Sequence, residues 1–364
     1  MELKRNSNFE LLRVLTMLCV VASHGCSFNF TTPGFLGKFY TLYYTFGYAG
    51  LNSFFMMSGY FMGNRPYVNS KKKILSIFTQ IMFCQAFALI AFIVFKLSGL
   101  CDYSAFTMMN YFGIITEFYL LPVTSDIYWY ITAYIILLAL LPLINPFIQK
   151  LNPKGFIVLL LVAGLMWFGF SELRHFRYAH IQRAVFFYCL GAFFKIHADK
   201  KSSKRLVAAI LLFIPVYLAS AAAFSAFHNL PEDGSAYIDM ALHYLSYAIL
   251  SPLTSILIFE IFRNLTFSSP VINLISATTF SVYLLHCQPL LGYLKGQYLF
   301  STSLNMPEFK CLMFSIINWI LTFAVCSLID LLRLKVINNK INLLTGKVLS
   351  VIDSKLYIHN DKTE

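Results

Sequence analysis

The sequence predicts an all-α, polytopic membrane helix bundle with about ten transmembrane helices. Three observations carry this expectation. The 364 residues are 58% hydrophobic and only 12% charged, about half the charged fraction of a soluble domain. Apolar runs of membrane-spanning length recur from end to end, and the mean hydropathy is +0.68. They are too long and too uniform for outer-membrane β-strands, which alternate over about 10 residues. Basic residues gather between the runs, mostly in alternate loops.

The spans fall near 9–28, 39–62, 74–97, 127–147, 155–171, 181–196, 206–227, 238–262, 270–294 and 309–333. The segment 103–121 is apolar but short and broken, and reads as an interfacial or re-entrant helix. With the N-terminus inside, the inner segments and the tail collect 20 of the 28 Lys and Arg residues. The loops 98–126 and 228–237, on the outer side, hold none. This asymmetry predicts that both termini are cytoplasmic. It also accounts for the net charge of +12 without a nucleic-acid partner.

Two ends need a decision. Lys4, Arg5 and "VASHG" suit a secretory signal, but Glu10 and Arg13 interrupt the apolar run, so an uncleaved first span is expected. Residues 336–364 form a basic tail, either an amphipathic helix on the inner surface or a partly ordered segment. The eight cysteines show no C-x-x-C and no Cys/His metal spacing. Cys19, Cys26, Cys84, Cys189, Cys287 and Cys326 lie in or beside apolar segments and read as small hydrophobes. Neither a disulfide framework nor a metal is expected.

The first span, "NFELLRVLTMLCVVASHG", holds the most informative residues. Eleven residues of helix separate Arg13 from His24, a rise of about 16 Å that closes to within about 20° of whole turns. The two therefore share one face, and Glu10 lies one turn below Arg13 at ion-pair spacing. The plainer reading has Arg13 snorkelling to the headgroups and His24 capping the helix. The shared face favours a lined cavity, because ionisable groups within spans usually face a bundle interior.

Four other stretches stand out. "NSFFMMSGYFMGNRP" places Ser58, Gly59, Tyr60 and Gly63 after a bulky run, suited to close helix contact or to a ligand. Arg65, Lys71, Lys72 and Lys73 are either positive-inside decoration or a polyanion site. "DIYWYITAYIILLALLPLINPF" carries Trp129 in an aromatic belt, and "TTFSVYLLHCQPL" puts His286 mid-span with Tyr283 one turn before. Arg183 is a weaker candidate for an outer mouth.

Together these segments resemble the bacterial acyltransferase family 3, integral membrane enzymes that O-acylate cell-surface acceptors. The first span matches the family's acidic residue, arginine and histidine as Glu10, Arg13 and His24, with Glu where Asp is usual. "FFMMSGYFM" is similar to its FF-x-x-SGY segment, "YWYITAYIILLALLP" to a span ending at a proline, and "FSVYLLH" to its late YLxH span. The chain departs from the family's spaced arginine pair, having "KKKIL" instead. Lysines keep the charge and lose bidentate geometry.

The resemblance implies an acyltransferase-like transmembrane domain over 1–335 in a bacterial plasma membrane. It implies acetyl-CoA as donor, a glycan or glycolipid as acceptor, and lipid contact. His24 becomes the general base or a transient acyl carrier, with Glu10 orienting Arg13. Arg13, Lys71, Lys72, Lys73, Ser58 and Tyr60 would meet the donor, and Trp129, His286, Tyr283 and Arg183 the acceptor or thioester. The alternative is a secondary transporter using Glu10, Arg13, His24 and His286 as a proton or ion relay.

Overall fold

The computed structural model describes residues 7–26, 35–65, 68–100, 113–116, 126–172, 179–198, 204, 206–208, 210–215, 218–219, 249–295, 307–336 and 346–351. Among them every regular element is helical. In chain order these are α1 (Asn8–Cys26), α2 (Phe35–Met62), α3 (Ser70–Leu97) and, after a 3₁₀ turn at Asp126–Tyr128, α4 (Trp129–Ile148). There follow α5 (Pro153–Leu165), continued by a π-helical segment at Met166–Glu172, and α6 (Ala179–Ile196). The last are α7 (Ser251–Asn264), α8 (Pro270–Ala277), α9 (Thr279–His286), α10 (Pro289–Lys295) and α11 (Glu308–Val336). Of the segment 103–121 only residues 113–116 are described, and of the expected span near 206–227 residues 206–208, 210–215 and 218–219; the span expected near 238–262 is described from residue 249 on and contains α7. Most of the tail lies outside the described residues, and 346–351 within it is helical.

Helix starts follow local chemistry. Asn69, Asn152 and Ser269 each precede a helix and accept a hydrogen bond from its third residue, at Lys72 N, Gly155 N and Ile272 N. Two of these helices open with proline, whose fixed φ suits the first helical position.

Among the described residues three helices are long and apolar enough to cross a bilayer: Ser70–Leu97, Trp129–Ile148 and Leu312–Val336. The protein is a membrane-embedded helical bundle. The expected single span over 270–294 needs correction, because it is three short helices. The second break has a clear cause. Pro289 has no N–H and restricts Gln288 before it, while the Gln288 side chain accepts from Leu290 N at 2.7 Å and so starts α10 anew.

Close backbone approach and buried polar contacts join the helices. A Cβ on Gly59 of α2 would lie 1.8 Å from Tyr188 O of α6, and one on Gly191 of α6 would lie 1.9 Å from Met56 O of α2. Glycine at both positions lets α2 and α6 touch backbone to backbone. Asn52 of α2 donates to Ser251 and Ser255 of α7. Tyr188 of α6 donates to Asn145 of α4, whose amide donates to Met62 O. Ser281 of α9 donates to the Asp330 carboxylate of α11, which also pairs with Arg333.

Candidate active site

The polar face of α1 looks onto α8 and α9. Arg13 Nη1 donates to Glu10 Oε2 at 3.2 Å, and the same carboxylate oxygen accepts a short hydrogen bond from Ser276 Oγ of α8. About three turns along α1 from Arg13, His24 Nδ1 lies 2.8 Å from His286 Nε2 at the end of α9. One helix face thus carries Arg13 and His24 towards the same pair of helices.

The two imidazoles meet edge to edge. Their nitrogens are 2.8 Å apart while the ring centroids are 4.9 Å apart, so the nitrogens lie between the rings. The backbone fixes which nitrogen holds the proton. His286 Nδ1 is 2.7 Å from Val282 O, and a carbonyl only accepts, so Nδ1 is the N–H. Neutral His286 then presents Nε2 as an acceptor, and His24 Nδ1 donates to it. This leaves the lone pair of neutral His24 on Nε2. His286 is buried and His24 is exposed.

Cys287 adds a third group. Its Sγ is 3.3 Å from His24 Nδ1 and 3.4 Å from His286 Nε2. The reading of this cysteine as a small hydrophobe is therefore corrected, since a thiol seated against two ring nitrogens is in a polar contact. Cys84, Cys189 and Cys326 are buried, as that reading expects.

Below the histidines run two cavities, of about 510 and about 440 Å³. Arg13, Met57, Ser58, Lys73 and Tyr134 line both, so the cavities meet at a common neck. The first also has Glu10, Tyr60, Arg65 and Arg263 in its wall. Arg13, Arg65, Lys73 and Arg263 make it cationic. The second continues to Tyr130 and Tyr283. Neither His24 nor His286 is in the wall of either cavity; the Tyr283 ring, 6.0 Å from that of His286 and edge to face, stands between the second cavity and the histidine pair.

A family model described as an acyltransferase domain matches residues 6–331. The chain belongs to acyltransferase family 3. No curated protein and no solved structure matches it significantly. As a family member it is a membrane acyltransferase, and the resemblance read from four ordered motifs agrees with the match over nearly the whole chain.

In this acyltransferase the residues singled out from sequence divide into two groups. Glu10, Arg13, Ser58, Tyr60 and Lys73 line the cationic cavity, Tyr283 lines its continuation, and His24 meets His286. Lys71 and Lys72 are exposed and line neither cavity. Trp129 lines neither and stacks on His180 at 4.0 Å between α4 and α6. Arg183 is not at a mouth: it is fully buried, with Nε donating to Asn52 Oδ1 at 2.7 Å and its guanidinium 4.7 Å from the Tyr48 ring. His286, expected mid-span, ends a short helix beside a break. Sequence reasoning missed Arg263, Tyr130, Tyr134, Ser276 and Cys287. A signal existed for two of them, since "YWYITAY" puts Tyr130 and Tyr134 one turn apart on one helix face.

Proposed function

We propose that this acyltransferase moves an acetyl group from cytoplasmic acetyl-CoA to a hydroxyl of a cell-surface or lipid-linked glycan. The observation that carries the reading is the contact of His24 Nδ1 with His286 Nε2, whose other ring nitrogen lies against Val282 O. It leaves Nε2 of an exposed histidine ready to take a proton. The acceptor hydroxyl gives its proton to Nε2 as its oxygen attacks the thioester carbonyl. The tetrahedral intermediate then collapses, and the departing CoA sulfur takes that proton back from His24. His286 is a positioning residue that accepts the His24 Nδ1–H throughout.

The cavity pair supports the donor. Its cationic end, with Arg13 and Lys73 joined by Arg65 and Arg263, suits the CoA phosphates. Its tyrosine-lined end suits the pantetheine arm, which would have to pass Tyr283 to bring the thioester to His24, roughly 16 Å from Arg13 along α1. Glu10 and Ser276 hold the Arg13 side chain at the neck. The glycan comes from the family resemblance. The proposed topology, ten crossings of a bacterial plasma membrane with both termini cytoplasmic, would put the cationic cavity on the side where acyl-CoA is made. Membership of an acyltransferase family weighs against a carrier, which consumes no thioester.

The test is acetyl transfer from labelled acetyl-CoA to a membrane glycolipid extract. His24→Ala, still monodisperse in detergent, should lower the rate about 10²–10⁴-fold. A His24→Ala protein as active as wild type would remove His24 as the base.

A further inference from the structure

The base at His24 shares its Nδ1 with a second arrangement. His24 Nδ1, His286 Nε2 and Cys287 Sγ form a triangle with sides of 2.8, 3.3 and 3.4 Å. Among the described residues these three offer one ligand atom each, all within 4.8 Å of one another. Two nitrogens and a thiolate on tetrahedral zinc stand about 3.3 Å apart for the nitrogens and about 3.5 Å for nitrogen to sulfur, given Zn–N of about 2.05 Å and Zn–S of about 2.3 Å. The two sulfur sides already fit; the rings need to part by about 0.5 Å and to turn so that both lone pairs point at one centre beside the sulfur. The outer contact is in place as well. His286 Nδ1–H is held by Val282 O, the backbone-carbonyl bond that orients metal-ligating histidines.

We propose that His24, His286 and Cys287 form a site for a thiophilic divalent cation of the Zn²⁺ class, and that occupancy switches the acyltransferase off. The inhibitory half rests on the reading of His24 as the base, and the metal site itself does not. The chemistry makes the two states exclusive. Zn²⁺ replaces the thiol proton of Cys287, which is released, and binds the resulting thiolate. It also takes His24 Nδ1, so the proton there moves to Nε2. A neutral His24 with its proton on Nε2 cannot accept one from a hydroxyl. One proton leaves as one dication arrives, and the fourth tetrahedral position stays open to water. The soft sulfur and imidazole donors select against Mg²⁺ and Ca²⁺, which take oxygen.

The experiment uses untagged full-length protein in detergent, treated with chelator and then dialysed against ZnCl₂ or MgCl₂. Bound metal is counted by atomic spectroscopy, and acetyl transfer is followed with labelled acetyl-CoA in the same samples. Wild type should bind one Zn²⁺ per chain, take up no Mg²⁺ and lose at least nine-tenths of its activity, with recovery on adding chelator. Cys287→Ser should bind Zn²⁺ at least tenfold more weakly, and whatever its metal-free rate, ZnCl₂ at the concentration that silences wild type should no longer lower it. Cys287→Ala provides a second variant without any oxygen ligand. Wild type without bound Zn²⁺, or equal Zn²⁺ uptake in both cysteine variants and wild type, overturns the site. Full activity with one Zn²⁺ bound overturns the switch. Uptake that needs Cys287 in a protein with no turnover at all upholds the site and sinks the acetyl-transfer reading instead.

Discussion

A single backbone carbonyl, Val282 O, holds the proton on His286 Nδ1 and so orders the tautomers of a neutral His24–His286 pair. Through His286 it sets the tautomer of a residue 258 positions away in the sequence. The arrangement has the logic of an orienting acceptor behind a catalytic histidine, with a neutral imidazole where a carboxylate is more familiar. A neutral acceptor stabilises an imidazolium less, so loss of His286 should cost less than the roughly 10⁴-fold drop seen when an orienting carboxylate is lost. His286→Ala should therefore lower kcat with little change in the donor KM. His286→Asn, which retains an acceptor oxygen, should recover part of it. A fall in KM-linked binding alone, with no difference between Ala and Asn, would remove the orienting role.

At the scale of elements, the α2–α6 contact is the tightest backbone approach near the site. Gly59→Ala and Gly191→Ala would each force a methyl group into the opposing carbonyl at under 2 Å. The helices must then part, at about 1–3 kcal/mol as for other overpacked cores. Gly292 of α10 is the control, because a Cβ there meets nothing within 4 Å, and alanine has the higher helix propensity. Thermal unfolding in detergent should show a lowered midpoint for the first two and none for Gly292→Ala. Equal midpoints for all three would mean that α2 and α6 do not touch in this way. The broken helix over 270–294 matters equally. His286 ends α9 and Cys287 follows it in helical backbone, so the ring and the neighbouring sulfur both reach α1 just before the break.

Across the whole molecule, the proposed donor path depends on the neck where the two cavities join. Ser58 is in the wall of both, with its hydroxyl turned back to Phe54 O at 3.0 Å. Ser58→Trp should fill the neck and raise the KM for acetyl-CoA at least tenfold, while leaving the His24–His286 contact intact. Steady-state kinetics with varied acetyl-CoA check this, and an unchanged donor KM would place the arm elsewhere. Charge gives a second test at this scale. Lys73→Ala should weaken donor binding more than Lys72→Ala, because only Lys73 lines the cavities. Both effects should shrink in high salt.

How much of this was legible beforehand differs by scale. The helical, membrane-embedded class follows from composition and run length, because a bilayer demands internally satisfied backbone and an apolar exterior. The shared face of Glu10, Arg13 and His24 follows from helical periodicity, a local property of about three turns. Ordered motifs suffice for the family, which the match over 6–331 shows. Tertiary structure alone decided the rest. It selected Lys73 from three adjacent lysines, buried Arg183 against Asn52, and added Arg263 to the cationic wall. It also joined His24 to His286 and Cys287 across more than 260 residues. Such contacts depend on which helix faces meet and where a helix breaks, and periodicity within one helix holds no information about its neighbour.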